Sequence, residues 1–155
     1  MKPKNIEIFQ GQIKAVGEGT LIYTTGLHTC LGVAIFDAGT KLGVLGHLNG
    51  SGDFAMNQLE LVVKSIVAES EFTQSTKYHV LSPIALLDRQ VILEIEEARG
   101  RAKRLLERYA HGREVHYHFA EPGNYFKLLE LNVGLGQVTI HEAKTDFEIL
   151  DRWGT

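Results

Sequence analysis

Cysteine, proline and long apolar runs are all scarce in this sequence. Its 155 residues include only 1 cysteine and 3 prolines. A single cysteine cannot form a disulfide within the chain, so packing must hold the fold together. No apolar stretch approaches the roughly 18 residues that cross a bilayer, and the first residues lead into a strand-like run instead of a secretion signal. We therefore expect a cytoplasmic protein that does not insert into a membrane.

An excess of positive charge is also absent. The chain has 16 Lys and Arg residues against 19 Asp and Glu residues, which gives a formal net charge of −3. Such a balance provides no general attraction to nucleic acid, so we expect no nucleic-acid partner. The hydrophobic fraction of 44% is sufficient for a proper core. The length favours one domain over residues 1–155.

Short apolar runs, several of them alternating with polar residues, predict strands in the first and last thirds of the chain and one strand between them. These runs are 6–9, 12–16, 20–24, 31–36, 43–48, 77–81, 114–119, 125–131 and 137–141. Because little more than Gly11 separates the first two, we expect them to form an antiparallel pair or one bent strand.

Two other stretches have apolar residues at spacings of three and four, which predicts amphipathic helices. They extend over about 54–70, with Asp53 as a reasonable N-cap, and over about 87–109. Strands, then strands and helices together, then strands again are typical of an α/β protein. We expect a mixed, mainly antiparallel sheet arrangement with two principal helices.

The single cysteine, Cys30, lies where a polar turn meets the apolar run 31–36. The turn-forming residues 37–41 predict a hairpin that places Cys30 opposite His47, near the end of the returning strand. A neighbouring imidazole lowers the pKa of a thiol and so provides a thiolate nucleophile. The pair is therefore a candidate Cys–His site. The alternative is that Cys30 is simply a small buried hydrophobic residue.

A second candidate group is formed by His116 and His118, which share one face of a predicted strand. Two such histidines can bind a metal if a third ligand, for example His141 or Glu130, lies nearby. No spacing in the sequence fixes that third ligand. We therefore favour histidines that line the strand without a metal, and we expect no cofactor.

The residues around the cysteine resemble the signature of the CheD family of chemoreceptor glutamine deamidases. The matching features are Thr24, the Gly26-Leu27 pair before Cys30, the glycine-rich return strand that ends in Gly46-His47, and Gly17-Glu18 upstream. The resemblance covers roughly 17–53.

The match also has departures. His28-Thr29 replaces the Gly-Ser that usually precedes the family's cysteine. Residues 48–50 are Leu-Asn-Gly where the family has Met-Leu-Pro. The later glycine-rich segment of chemotaxis deamidases has no counterpart in this chain.

The resemblance implies a layered sandwich of helices and sheets, and it assigns a nucleophile to Cys30 and a base to His47. Thr24 would orient the imidazole through its hydroxyl, although a threonine at this place is also an ordinary strand residue. The N–H groups of Thr29 and Cys30 would stabilise an oxyanion. The implied reaction converts a glutamine side chain of a partner protein to glutamate and ammonia, without a cofactor.

Two other function classes remain open at this point. The first is a non-catalytic CheD-like module that binds a partner protein, because the departures from the family lie next to Cys30 and His47. The second is another Cys–His hydrolase that acts on a small amide or ester.

Overall fold

The computed structural model describes residues 4–68 and 73–146. Within these ranges the chain forms two helices and nine strands. In order they are β1 (Lys4–Glu7), β2 (Ile13–Val16), β3 (Thr20–Leu27), β4 (Gly32–Asp37), β5 (Leu42–His47), α1 (Asp53–Ala68), β6 (Thr76–Ser82), α2 (Arg89–Tyr109), β7 (Glu114–Phe119), β8 (Asn124–Asn132) and β9 (Gln137–Lys144).

The strands form two sheets that are mixed but mainly antiparallel. One sheet has the order β1-β3-β8-β9 and the other the order β2-β5-β4-β6-β7. Only β1–β3 and β6–β7 are parallel among the pairs in the described residues. The predicted fold class, with two principal helices, is confirmed. Within the described ranges, neither helix is long and apolar enough to cross a membrane.

The central strand β4 shows how the layers are arranged. Val33 and Ile35 pack in the cluster that contains the apolar residues of both helices. Ala34 and Phe36 belong to the cluster that includes residues of the four-stranded sheet. Because successive side chains of a strand point to opposite faces, the five-stranded sheet lies between the helices and the other sheet. The result is a three-layer sandwich.

The expectation that the first two strands pair with each other is wrong. Strand β1 pairs with β3, whereas β2 pairs with β5 in the other sheet. A turn at residues 9–12 separates them, and Gly11 adopts a φ of 86° there. The N–H of Gly11 donates to the carbonyl of His47 at 2.7 Å, so the turn directs the chain to the second sheet.

The helix boundaries are close to the prediction, but Asp53 is not the N-cap of α1. Gly52 precedes the helix, and its carbonyl accepts the N–H of Met56. Asp53 is already the first residue of the helix, and its carboxylate binds Arg101 of α2 at 2.6 Å. Helix α2 begins at Arg89 because the side chain of Asp88 caps it.

Asp37 fixes the hairpin between β4 and β5. Its Oδ2 atom accepts the N–H and hydroxyl of Thr40 at 2.9 and 2.6 Å. Its Oδ1 atom accepts the hydroxyls of Thr73 and Thr76 at 2.7 and 3.0 Å. Burial opposes ionisation of this carboxyl, but these hydrogen bonds outweigh it and hold the pKa of Asp37 well below its usual range. The carboxylate thereby joins the hairpin turn to the segment that precedes β6.

Candidate functional site

Thr24 and His47 meet between the two sheets. Thr24 belongs to β3 of the four-stranded sheet, and His47 is the last residue of β5 in the other sheet. The Thr24 Oγ1 atom lies 2.7 Å from His47 Nδ1. Both side chains are buried, with 1% and 5% of their surface exposed. The structure thus brings together the two residues that the sequence resemblance paired.

Cys30 lies on the same face of the five-stranded sheet as His47. The antiparallel register places His47 opposite Gly32, two residues after Cys30. Cys30 itself lies in the bend before β4, and His47 contacts Thr24 of the facing sheet, so both residues lie where the two sheets meet. Among the described residues, no hydrogen bond joins Cys30 to His47. Cys30 packs with the apolar residues between the sheets and is only 9% exposed. The predicted hairpin is confirmed, with His47 at the end of its second strand and Cys30 two residues before its first strand.

Gly32 allows the two sheets to approach each other at this position. A Cβ atom there would lie 2.7 Å from Leu27 Cδ1 and 3.3 Å from Leu129 Cδ2, which is too close for either side chain to remain in place. Leu27 and Leu129 belong to β3 and β8 of the facing sheet. A larger residue opposite His47 would therefore separate the layers that carry the two halves of the site.

Burial lowers the pKa of His47, and the nearby His28 lowers it further. The imidazole is consequently neutral near pH 7, the form that accepts a proton from a thiol. When Nδ1 carries the proton and donates it to the Thr24 oxygen, Nε2 retains its lone pair. The Thr24 contact therefore fits an imidazole with Nε2 as its basic nitrogen.

The backbone N–H groups of Thr29 and Cys30, which the family resemblance assigns to an oxyanion hole, have no acceptor among the described residues. Both residues precede β4. The next N–H, that of Leu31, is already bonded to the carbonyl of Gly50 at 3.0 Å. Free backbone donors near a thiol are one requirement of an oxyanion hole.

Sequence reasoning missed the part played by His28. It is exposed, and its ring stacks on Tyr125 with the centroids 4.6 Å apart. Its carbonyl accepts the N–H of Ala85 at 3.0 Å, which fixes the turn before Cys30. The one feature of the sequence that pointed to His28 was its position two residues before Cys30. The sequence alone showed it only as a departure from the family pattern.

The two histidines considered as a metal pair, His116 and His118, lie beside His79 of β6. His79 Nδ1 is 3.0 Å from His118 Nε2. The predicted third ligands are not in this group: His141 and Glu130 lie on β9 and β8 of the other sheet. Sequence reasoning could not find His79, because the parallel pairing of β6 with β7 is a tertiary feature.

The fold and the site define a three-layer α/β protein whose single cysteine and a Thr–His pair lie between two sheets. No protein-family model matches the chain, and the search of curated proteins found no match. Among solved structures, the chain is similar to the hypothetical protein YfiH of Bacillus licheniformis, with a TM-score of 0.45 and 11% sequence identity. The match covers 68% of this chain and 48% of that one, so this chain spans about half the length of YfiH. Membership of the CheD family therefore stays a hypothesis.

Proposed function

We propose that the protein is a CheD-like deamidase that hydrolyses the side-chain amide of a glutamine in a partner protein. The observation that supports this most is the 2.7 Å contact between Thr24 Oγ1 and His47 Nδ1. The motif assigned Thr24, Cys30 and His47 to one site, although Thr24 and Cys30 lie 23 and 17 positions before His47. Their convergence between the sheets is what the assigned chemistry needs.

The proposed reaction begins when Cys30 transfers its proton to His47 Nε2. The thiolate then attacks the carboxamide carbon, and the oxyanion accepts hydrogen bonds from the N–H groups of Thr29 and Cys30. His47 returns the proton to the leaving nitrogen, so ammonia departs and a thioester remains. His47 next removes a proton from water, which attacks the thioester. Collapse of this intermediate releases glutamate and restores the thiol.

The burial of the site favours a substrate that enters by a narrow side chain. Cys30 is 9% exposed, so the main chain of a protein substrate would remain at the surface while its amide reaches the sulfur. Glutamine is unbranched and long enough for this approach. The stacked rings of His28 and Tyr125 would form one wall of the entrance. A partner protein that carries such a glutamine, in the cytoplasm, is the proposed substrate.

The first experiment measures the reactivity of Cys30 and needs no substrate. Alkylation of the native protein by iodoacetamide near neutral pH should be faster than alkylation of an ordinary thiol, and His47→Ala should slow it. His111→Ala, which changes an imidazole outside the site, is the matched control. An ordinary rate that His47→Ala leaves unaltered would contradict the proposed dyad.

The second experiment identifies the substrate class. Glutamine-containing proteins are incubated with wild type, Cys30→Ala and Thr24→Ala, and ammonia release is measured together with conversion of glutamine to glutamate by mass spectrometry. We expect both products with wild type, none with Cys30→Ala and a reduced rate with Thr24→Ala. Activity on free small amides alone would favour the other hydrolase class. A reactive thiol without turnover of any amide, with retained binding of a protein, would favour the non-catalytic module.

A further inference from the structure

Three histidines form a ladder on strands β6 and β7. The parallel register places His79 opposite His116 and Leu81 opposite His118. Side chains at every second position share a face, so His79, His116 and His118 all point to one side of the sheet. The ring of His79 lies 4.8 Å from that of His116 and 5.3 Å from that of His118, measured between centroids.

The closest atoms of this histidine ladder are two ring nitrogens. His79 Nδ1 and His118 Nε2 are 3.0 Å apart. In a tetrahedral zinc site with Zn–N bonds of about 2.0–2.1 Å, two nitrogen ligands are about 3.3 Å apart. The two rings therefore need to separate by only a few tenths of an ångström to hold one ion between them.

The charge state of the rings also suits metal binding. Burial and the neighbouring imidazoles of His118 and His116 lower the pKa of His79 to about 4. Burial and His116 lower the pKa of His118 as well. Both rings are thus neutral near pH 7 and retain the lone pairs that a metal requires. In the absence of a metal, one of the two nitrogens must carry a proton to make the hydrogen bond.

Carboxylates of two strands surround the ladder. Glu114 Oε1 lies 3.3 Å from His116 Nε2, and the other oxygen of Glu114 binds Lys77 at 3.4 Å. Glu142 of β9 is close enough to act on the charge of His118. A carboxylate bonded to the second nitrogen of a histidine is the usual outer partner of a metal ligand, because it orients the ring and increases its basicity.

We propose that His79, His118 and His116 bind one divalent transition-metal ion that prefers imidazole, such as Zn²⁺. Among the described residues, no three His, Cys, Asp or Glu side chains are already arranged to hold a metal ion. His116 must therefore turn its ring toward His79 to complete the site. The side chain of His116 is 42% exposed, which leaves it free to turn. Ligands of this kind, with carboxylates behind them, select Zn²⁺, Cu²⁺ or Ni²⁺ over Mg²⁺ or Ca²⁺.

This metal site is separate from the Cys30–His47 site. His47, Gly32, Leu81 and His118 form one row across β5, β4, β6 and β7. Three strand spacings separate the first residue of the row from the last, about 14 Å between their Cα atoms. A metal held by the histidine ladder would therefore not contact the cysteine, and the two proposals can be tested independently.

The test is a calorimetric titration of the full chain with Zn²⁺ alone near neutral pH. We expect one equivalent to bind to wild type and to Cys30→Ser, and His79→Gln or His118→Gln to weaken binding by at least about tenfold. His111→Gln and His141→Gln, which change histidines outside the ladder, should bind as wild type does. Unchanged affinity in His79→Gln and His118→Gln, or loss of binding in Cys30→Ser, would overturn the proposal.

A second measurement uses the wild-type protein and does not depend on how well a variant folds. Diethyl pyrocarbonate modifies accessible histidines, and mass spectrometry identifies which residues react. Added Zn²⁺ should slow modification of His116 and His118 and leave the rate at His111 unchanged. If added Zn²⁺ changes the modification rate of neither His116 nor His118, the ladder does not bind the ion.

Discussion

A buried imidazole must satisfy its nitrogens by hydrogen bonds, and Thr24 does this for Nδ1 of His47. The contact of 2.7 Å crosses from one sheet to the other. Since both residues are almost inaccessible to water, no solvent molecule can readily replace the hydroxyl. Thr24 therefore has a structural effect as well as its proposed role in orienting the base.

We expect Thr24→Val to lower the free energy of unfolding by about 1–3 kcal/mol, because it keeps the shape and leaves a buried nitrogen without a partner. Thr24→Ser retains the hydroxyl and should recover most of the loss. Urea denaturation measures both. The matched control is Thr25→Val at the exposed neighbouring position, for which the change should stay within about 0.5 kcal/mol. Equal losses at the two positions would contradict the assigned contact.

Strands β4 and β5 carry glycines where the sheet faces are most crowded. Cβ atoms at Gly43 and Gly46 would lie 2.8 Å from Leu131 Cδ2 and 2.9 Å from Val33 Cγ1. The same holds at Gly32, beside the candidate site. None of these three adopts a positive φ, so close packing, and not backbone conformation, demands glycine.

Gly32→Ala should destabilise the protein by about 1–3 kcal/mol, since the added methyl group pushes Leu27 and Leu129 away. Gly17→Ala is the control, because a Cβ there meets no atom within 4 Å and its φ is not positive. Thermal or urea unfolding compares the two variants. If Gly32→Ala proves as stable as Gly17→Ala, the sheets are less closely packed at the site than the structure indicates.

The Asp37 carboxylate stabilises the β4–β5 hairpin that aligns Cys30 with His47. Asp37→Ala removes the acceptor of the Thr40 N–H and one acceptor of the buried Thr76 hydroxyl, which also bonds to the Thr73 carbonyl. A hydrogen bond to a charged group contributes about 1.5–3 kcal/mol. We expect a loss of at least about 2 kcal/mol in urea denaturation. Asp88→Ala, which removes an exposed helix cap, should cost about 1 kcal/mol. A smaller effect at Asp37 than at Asp88 would contradict this role.

For the whole molecule, three histidines that the fold partly or fully buries contribute to the response of stability to acid. The pKa values of His47, His79 and His118 are all lowered in the folded protein. The unfolded chain, in which histidine has a pKa of about 6.5, then binds more protons than the folded chain as the pH falls. The free energy of unfolding therefore decreases with decreasing pH below about 6.5. For His79 the decrease continues to its folded pKa of about 4.

We expect the free energy of unfolding of wild type to be clearly lower at about pH 5 than at about pH 7.5. His79→Gln should reduce this difference, because it removes the imidazole whose pKa the fold lowers to about 4. His111→Gln, which replaces a turn residue outside both histidine groups, should leave it nearly unchanged. Urea denaturation at the two pH values provides the measurement. An identical pH dependence in wild type and His79→Gln would show that folding does not lower the pKa of His79.

The local pattern of the sequence determined the secondary structure and one half of the candidate site. Alternating and helical periodicities located the hairpin and both helices, because burial of one face requires these periods. The turn residues 37–41 placed His47 on a strand that pairs with β4, which begins two residues after Cys30. Thr24 entered by the family resemblance alone, since no local pattern relates it to His47.

Only the tertiary structure decided which strands share a sheet and which side chains meet across layers. The turn at Gly11 sends β1 and β2 to different sheets, and the parallel pairing of β6 with β7 brings His79 to His118. These contacts join residues far apart in the chain. They are stabilised by the burial of apolar side chains from several strands and helices at once. Periodicity states which face of a strand is buried, whereas the whole packed core selects the partner that covers it.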